Sequence, residues 1–190
     1  MGRGTATVEP IRKAKEIAAI KGMLSHKPRD FALFVVGIHA GLRGSDLLSI
    51  RWGDVLAEDG QVLAKIEITE SKTKKRRVLA LQENARDALS RWRTHSSSNR
   101  EAYVFAGPDG GRLTIQRLHQ LVNKWTKDAG VKGHFGSHTL RKTYGYHLRR
   151  LGVSIETLMK VFGHSSQSIT LRYIGIDQDE IDEANLRLNL

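Results

Sequence analysis

The chain has 190 residues, with 31 Lys and Arg against 20 Asp and Glu, a formal net charge of +11 and no cysteine. That length suits one domain with a real core, the missing thiols exclude disulfides and thiolate metal centres, and the positive field makes a polyanion, nucleic acid first, the expected partner. No stretch approaches the roughly 20 apolar residues of a membrane span, and the charged first thirty residues lack the apolar core of a secretion signal, so a soluble, cytoplasmic protein without a membrane partner is expected.

In chain order, Ile11, Ile17, Ile20 and Leu24, then Phe31, Phe34, Val35 and Ile38, have helical spacing and predict two helices broken at Lys27-Pro28. Gly41 reads as the stop of the second, and Ser45 to Ile50 as a further short helix, which leaves Arg43 at a helix junction. Val62, Ala64, Ile66 and Ile68 alternate with Leu63, Lys65 and Glu67, and after a turn Arg77 to Leu81 completes a hairpin. The turn carries Lys72, Lys74, Lys75, Arg76 and Arg77. Ala85, Ala88, Leu89 and Trp92 mark the next helix, Tyr103 to Phe105 a short extended run, and Ile115, Leu118, Leu121, Val122 and Trp125 a core-facing helix ended by Gly130.

The segment SHTLRKTYGYHLRRLG, residues 137–152, predicts a helix capped by Ser137 and stopped by Gly152, with Leu140, Tyr144, Leu148 and Leu151 on one face. At about 100° per residue, His138, Arg141 and Gly145 cluster away from that stripe, and Gly145 suggests room left for a ligand. A following helix runs from Ser154 through Ile155, Leu158, Met159 and Phe162 to Gly163, placing His164 just beyond its end. A last segment from Ser166 is expected to put Thr170 and Tyr173 on one side while Ile169 faces inward. His134 with His138 does not make a metal pair, because the two straddle a helix start; no metal site is expected.

Three stretches carry a resemblance to a known family. AGLRGSDLLSIRW, SHTLRKTYGYHL and GHSSQSITLRY, in that order and at that separation, resemble the signature boxes of tyrosine site-specific recombinases, the phage integrase family. The resemblance implies a mainly helical α+β catalytic domain with a small antiparallel hairpin near the first third of the chain. It also implies that Arg43 and Arg141 hold the scissile phosphate, that His138 and His164 assist, and that Tyr173 is the nucleophile. Lys72 resembles the lysine beside that phosphate, and Asp46 an acidic residue that supports the site. The other basic turn residues, Lys74, Lys75, Arg76 and Arg77, together with Lys142, are expected to contact DNA.

These residue types suit phosphoryl transfer: guanidinium forks hold the nonbridging oxygens, imidazole titrates near working pH, and a phenol becomes a 3′-phosphotyrosine. That linkage conserves the phosphodiester energy, so no cofactor is expected. The expected reaction is integration, excision or inversion of double-stranded DNA. A type IB topoisomerase and a non-catalytic DNA-binding regulator are the alternatives. Residues 1–175 are expected to form the catalytic domain, without the N-terminal core-binding domain usual in the family. Residues 176–190 would form a tail, packed on its own domain or exchanged between protomers of a homo-tetramer on DNA, with a monomer in isolation.

Overall fold

A computed structural model of the chain describes residues 7–97, 99–176, 182 and 185–187. Its centre is a helix that water barely reaches. This helix, α2 (Pro28–Ala40), starts on a proline at its first turn and ends on Gly41, whose φ of 59° suits a residue without a Cβ. Every residue from Ala32 to Ile38 is buried, as befits a helix surrounded by others. Around it pack α1 (Ala14–Leu24), α5 (Glu83–Arg93) and α7 (Thr139–Arg150). Two short helices, α3 (Gly44–Ser49) and α4 (Trp52–Val55), lead to the antiparallel pair β1 (Lys65–Thr69) and β2 (Arg76–Ala80), in register Lys65 to Ala80 and Thr69 to Arg76. The amphipathic α6 (Ile115–Asp128) buries Leu118, Leu121, Val122 and Trp125, with Trp125 edge-on to Phe34. The fold is α+β and mainly helical, as the sequence predicts.

The last two helices stand apart. α8 (Ile155–Phe162) and α9 (Gln167–Ile174) pack on each other and on α7, and bury Leu158, Phe162, Ile174 and Ile176 in a satellite cluster separate from the main core. A cluster of that size belongs to the less stable end of a fold. Among the described residues it meets the rest of the site through α7 and through Arg43 and Arg77, which donate to the Phe162 and Val161 carbonyls.

Several local expectations give way to tertiary packing. Ile11 is fully buried but lies ahead of α1, its N–H donating to Thr143 Oγ1 at 2.9 Å. The hairpin strands begin at Lys65, Val62 pairing with Leu56 as an isolated bridge, and the Tyr103 run reduces to one bridge with Arg51. The first residue of α7 is Thr139, so His138, not Ser137, is its N-cap. Leu151, expected on the apolar face, is exposed, because the helix ends before it. Gly145 leaves no room for a ligand: a Cβ there would lie 2.6 Å from both Ile174 Cγ2 and Phe162 Cζ. In α9 it is Thr170 and Ile174 that are buried, while Ile169 faces solvent, so the inward face is rotated by one residue from the expected one. The tail falls mostly outside the described residues.

No helix among the described residues is long and apolar enough to cross a membrane.

Candidate active site

Five separated residues meet where α3, α7, α8 and α9 converge. Arg43 is the N-cap of α3, held extended two residues after the left-handed Gly41. Arg141, in the first turn of α7, is buried, and its Nη2 donates to the Phe162 carbonyl at 3.2 Å while its guanidinium lies 4.9 Å from the Phe162 ring. Arg43 Nη2 reaches the same carbonyl at 3.5 Å. The free carbonyl end of α8 thus anchors both guanidinium forks, as a helix C-terminus suits cations. Arg141 Nη1 is buried with no hydrogen-bond partner, a costly state for a charged donor unless a ligand satisfies it.

Gly163, with φ 69°, stops α8 and turns His164 back toward the site. The hydroxyl of buried Thr170 donates to the Ser166 carbonyl at 3.1 Å, so its oxygen accepts from His164 Nδ1, also at 3.1 Å. That arrangement sets the His164 tautomer and leaves Nε2 free for the site. The His164 and Tyr173 rings stand 5.1 Å apart, edge to face. Tyr173, in the last turn of α9, directs its hydroxyl to His138 Nδ1 at 3.5 Å, and Lys142 Nζ lies 5.1 Å from the Tyr173 ring centre.

Charge and burial tune these groups in a consistent direction. Burial, with the nearby positive charges of Lys142 and Arg141, lowers the His138 pKa and keeps its imidazole neutral and able to accept a proton. Burial, with Arg141 and Arg43, lowers that of His164 likewise. Burial raises the Tyr173 phenol above its ordinary value, against the pull of Arg141 and Arg43, so at rest it keeps its proton. Two carboxylates balance part of the positive charge. Asp46 Oδ1 accepts from the Ser71 N–H at 2.9 Å, and its Oδ2 lies 3.9 Å from Arg43 Nη1. Burial pushes the Glu70 carboxyl up, but hydrogen bonds from Thr73 and Arg43 and the charges of Arg43 and Arg77 outweigh it and hold Glu70 below the usual range.

The sequence profile of the phage integrase family matches residues 11–180. The chain belongs to that family.

A probable integrase/recombinase, YoeC of Bacillus subtilis, is 36% identical over 175 residues, covering 90% of this chain and 92% of that one. A tyrosine recombinase of Pseudothermotoga lettingae is 31% identical over 160 residues, and there the match spans 83% of this chain but only 53% of the relative. Among solved structures, XerA recombinase superposes with a TM-score of 0.76 at 19% identity, over 100% of this chain and 66% of that one. XerH bound to its palindromic difH substrate in a post-cleavage complex gives 0.74 at 19% identity, over 97% of this chain and 54% of that one. The chain is a tyrosine recombinase catalytic domain, of the enzyme class that cleaves and rejoins DNA; the topoisomerase and regulator alternatives are not favoured.

Of the residues the sequence predicts for this recombinase site, Arg43, His138, Arg141, His164 and Tyr173 come together with Asp46. Lys72 does not join them: it projects from the exposed turn after β1 and, among the described residues, forms no hydrogen bond or ion pair. Lys74, Lys75 and Arg76 are exposed as well, Arg76 pairing with Glu67 at 3.2 Å. Arg77 and Lys142, also expected to contact DNA, lie further inside than the exposed residues of the turn. Arg77 Nη1 donates to the Val161 carbonyl at 3.4 Å and faces Glu70 at 3.8 Å, and Lys142 is buried beside Tyr173. Sequence reading missed three participants: Glu70, Thr170 and the Phe162 carbonyl. Thr170 was expected only to share a side of its segment with Tyr173, and Glu70 left a trace as the one acid abutting the basic run ESKTKKRR.

Proposed function

We propose that this chain cuts one strand of double-stranded DNA at a time by attack of Tyr173 on the scissile phosphate, and reseals it by the reverse step. The observation that carries this reading is the Tyr173 hydroxyl, 3.5 Å from a neutral imidazole and bordered by two arginines fixed on one carbonyl.

In the first step the Tyr173 oxygen bonds to phosphorus as its proton passes to His138 Nδ1, and the bond from phosphorus to the 5′-oxygen breaks. Arg43 and Arg141 hold the nonbridging oxygens, whose charge grows in the transition state; Arg141 Nη1, unpartnered in the free protein, has its acceptor there. His164 contributes from Nε2. Because Nδ1 is already the donor to Thr170, the ring must be imidazolium to donate to phosphate, and the phosphate's own charge raises its pKa for that purpose. Lys72 supplies the proton to the departing 5′-oxygen, its side chain reaching the phosphate from the exposed basic turn. Rejoining transfers the strand from the 3′-phosphotyrosine to a 5′-hydroxyl, with His138 and Lys72 exchanging roles. The natural setting is a homo-tetramer on DNA in the cytoplasm, with the tail packed in cis or exchanged between protomers.

A pool of nicked duplexes with a randomised core tests the reading, since cleavage opposite the nick releases the 5′ end and traps the covalent product. Wild-type protein should yield a denaturation-resistant adduct through the 3′-phosphate, and Tyr173→Phe none. An adduct that persists in Tyr173→Phe, or one formed through the 5′-phosphate, refutes it.

A further inference from the structure

The turn between β1 and β2 holds a carboxylate inside a site that receives an anion. Glu70 is only 9% exposed and follows β1 directly. Its backbone closes the turn, the N–H donating to the Lys75 carbonyl at 3.0 Å and the carbonyl accepting from the Lys74 N–H at 2.9 Å. Its side chain turns the other way: Oε2 accepts from Arg43 Nη1 at 2.8 Å and from Thr73 Oγ1 at 2.7 Å, while Oε1 lies 3.8 Å from Arg77 Nη1. Asp46 pins the same turn from α3 through the Ser71 N–H at 2.9 Å. Lys72 therefore sits between two residues, Ser71 and Thr73, each bonded to an acid that also faces Arg43. An acid serving only to offset the basic run would lie in water with Lys74 and Lys75. One serving only as a partner for Arg43 would not also bind Thr73 of its own turn.

We propose that Glu70 is a positioning residue that fixes the turn of residues 71–75 to Arg43, so that the Lys72 ammonium reaches the leaving 5′-oxygen of the phosphate that Arg43 holds. Arg43 meets a docking phosphodiester with its other guanidinium N–H groups while Nη1 stays on Glu70, and Arg77, facing Oε1, braces the carboxylate. The acid thus serves as a ruler between the phosphate clamp and the proton donor. This rests on the role of Lys72 given above.

The test uses two nicked duplexes identical except at the scissile bridging atom, oxygen in one and sulfur in the other. A thiolate, from a thiol of pKa about 8.5, departs without a donated proton, whereas an alkoxide does not. Single-turnover cleavage is measured for the full chain over a range of DNA concentrations. Lys72→Ala should lose about 100-fold in maximal rate on oxygen and recover on sulfur, the signature of a lost general acid. Glu70→Ala should lose about tenfold in maximal rate on oxygen with half-saturation nearly unchanged, and likewise recover on sulfur. Glu70→Gln, which keeps an acceptor for Thr73 and Arg43, should fall between it and wild type, and it decides by the same criterion if Glu70→Ala does not fold. If Lys72→Ala recovers on sulfur and the Glu70 variants do not, or if the Glu70 variants cleave oxygen as fast as wild type, this proposal is overturned alone. If Lys72→Ala itself fails to recover, the lysine's role is overturned and the proposal with it.

Discussion

Gly145→Ala separates the stability of this fold from the assembly of its site. The added methyl would begin 2.6 Å from Ile174 Cγ2 and 2.6 Å from Phe162 Cζ, about 1 Å inside the closest comfortable carbon contact. The main core does not move to relieve it; the satellite pair α8 and α9 backs away from α7. Overpacking costs about 1–3 kcal/mol, and alanine returns about 1 kcal/mol of helix propensity. The net loss is therefore about 1 kcal/mol, a fall of about 2–4 °C in Tm for a chain of this size. Activity answers differently, because the displaced elements carry the Phe162 carbonyl that anchors Arg43 and Arg141, and Ile174, which is next to Tyr173. A shift of about 1 Å in a reacting group costs about 100-fold in rate. Calorimetric unfolding and single-turnover adduct formation on a nicked duplex measure the two effects. Cleavage within threefold of wild type, about 0.6 kcal/mol, in a folded Gly145→Ala protein would refute the reasoning, since it would mean that the nucleophile's helix is not seated on this glycine.

Three further outcomes follow from the same geometry. The cleavage rate at subsaturating DNA should fall on the acid side as His138 takes up a proton and can no longer accept one from Tyr173. Because burial, Lys142 and Arg141 lower its pKa, the midpoint should lie below the ordinary imidazole value of about 6.5, and His138→Gln should remove that limb from the pH–rate profile. DNA binding near neutral pH should take up a proton at His164, seen as binding heats that change with the ionisation enthalpy of the buffer and abolished in His164→Asn. Asp46→Ala should lose about 1–3 kcal/mol in urea unfolding by leaving the Ser71 N–H without its acceptor, and Asp46→Asn less, since an amide oxygen can replace the carboxylate there.

What could be read from the sequence follows from what each residue is asked to do. The clamp, the histidines and the tyrosine were legible because their chemistry admits few residue types, and their order and separation repeat a known pattern. Arg43 after Gly41 and His164 after Gly163 could be placed because glycine stops announce helix ends. Gly145 misled because an absent side chain looks the same whether it admits a ligand or a neighbouring ring; only Phe162 and Ile174 decide which. The inward face of α9 was misjudged by one residue because eight residues make little more than two turns, and buried Thr170 does not announce itself as core. Arg77 was grouped with its basic neighbours because strand alternation says that successive residues part company, but not which one meets the site. Glu70 was passed over because a single acid beside five cations looks like charge balance until its partners are seen.

The Phe162 carbonyl has a consequence of another kind. It is the point on which both guanidinium forks rest, yet every amino acid at position 162 would supply the same oxygen. Alanine scanning would report the loss of a buried aromatic ring and leave this contribution unrecorded, and replacing the peptide bond there by an ester would weaken the acceptor without removing a side chain. Part of the clamp is thus inherited with the path of the chain itself, and evolution can alter it only by rerouting the end of α8.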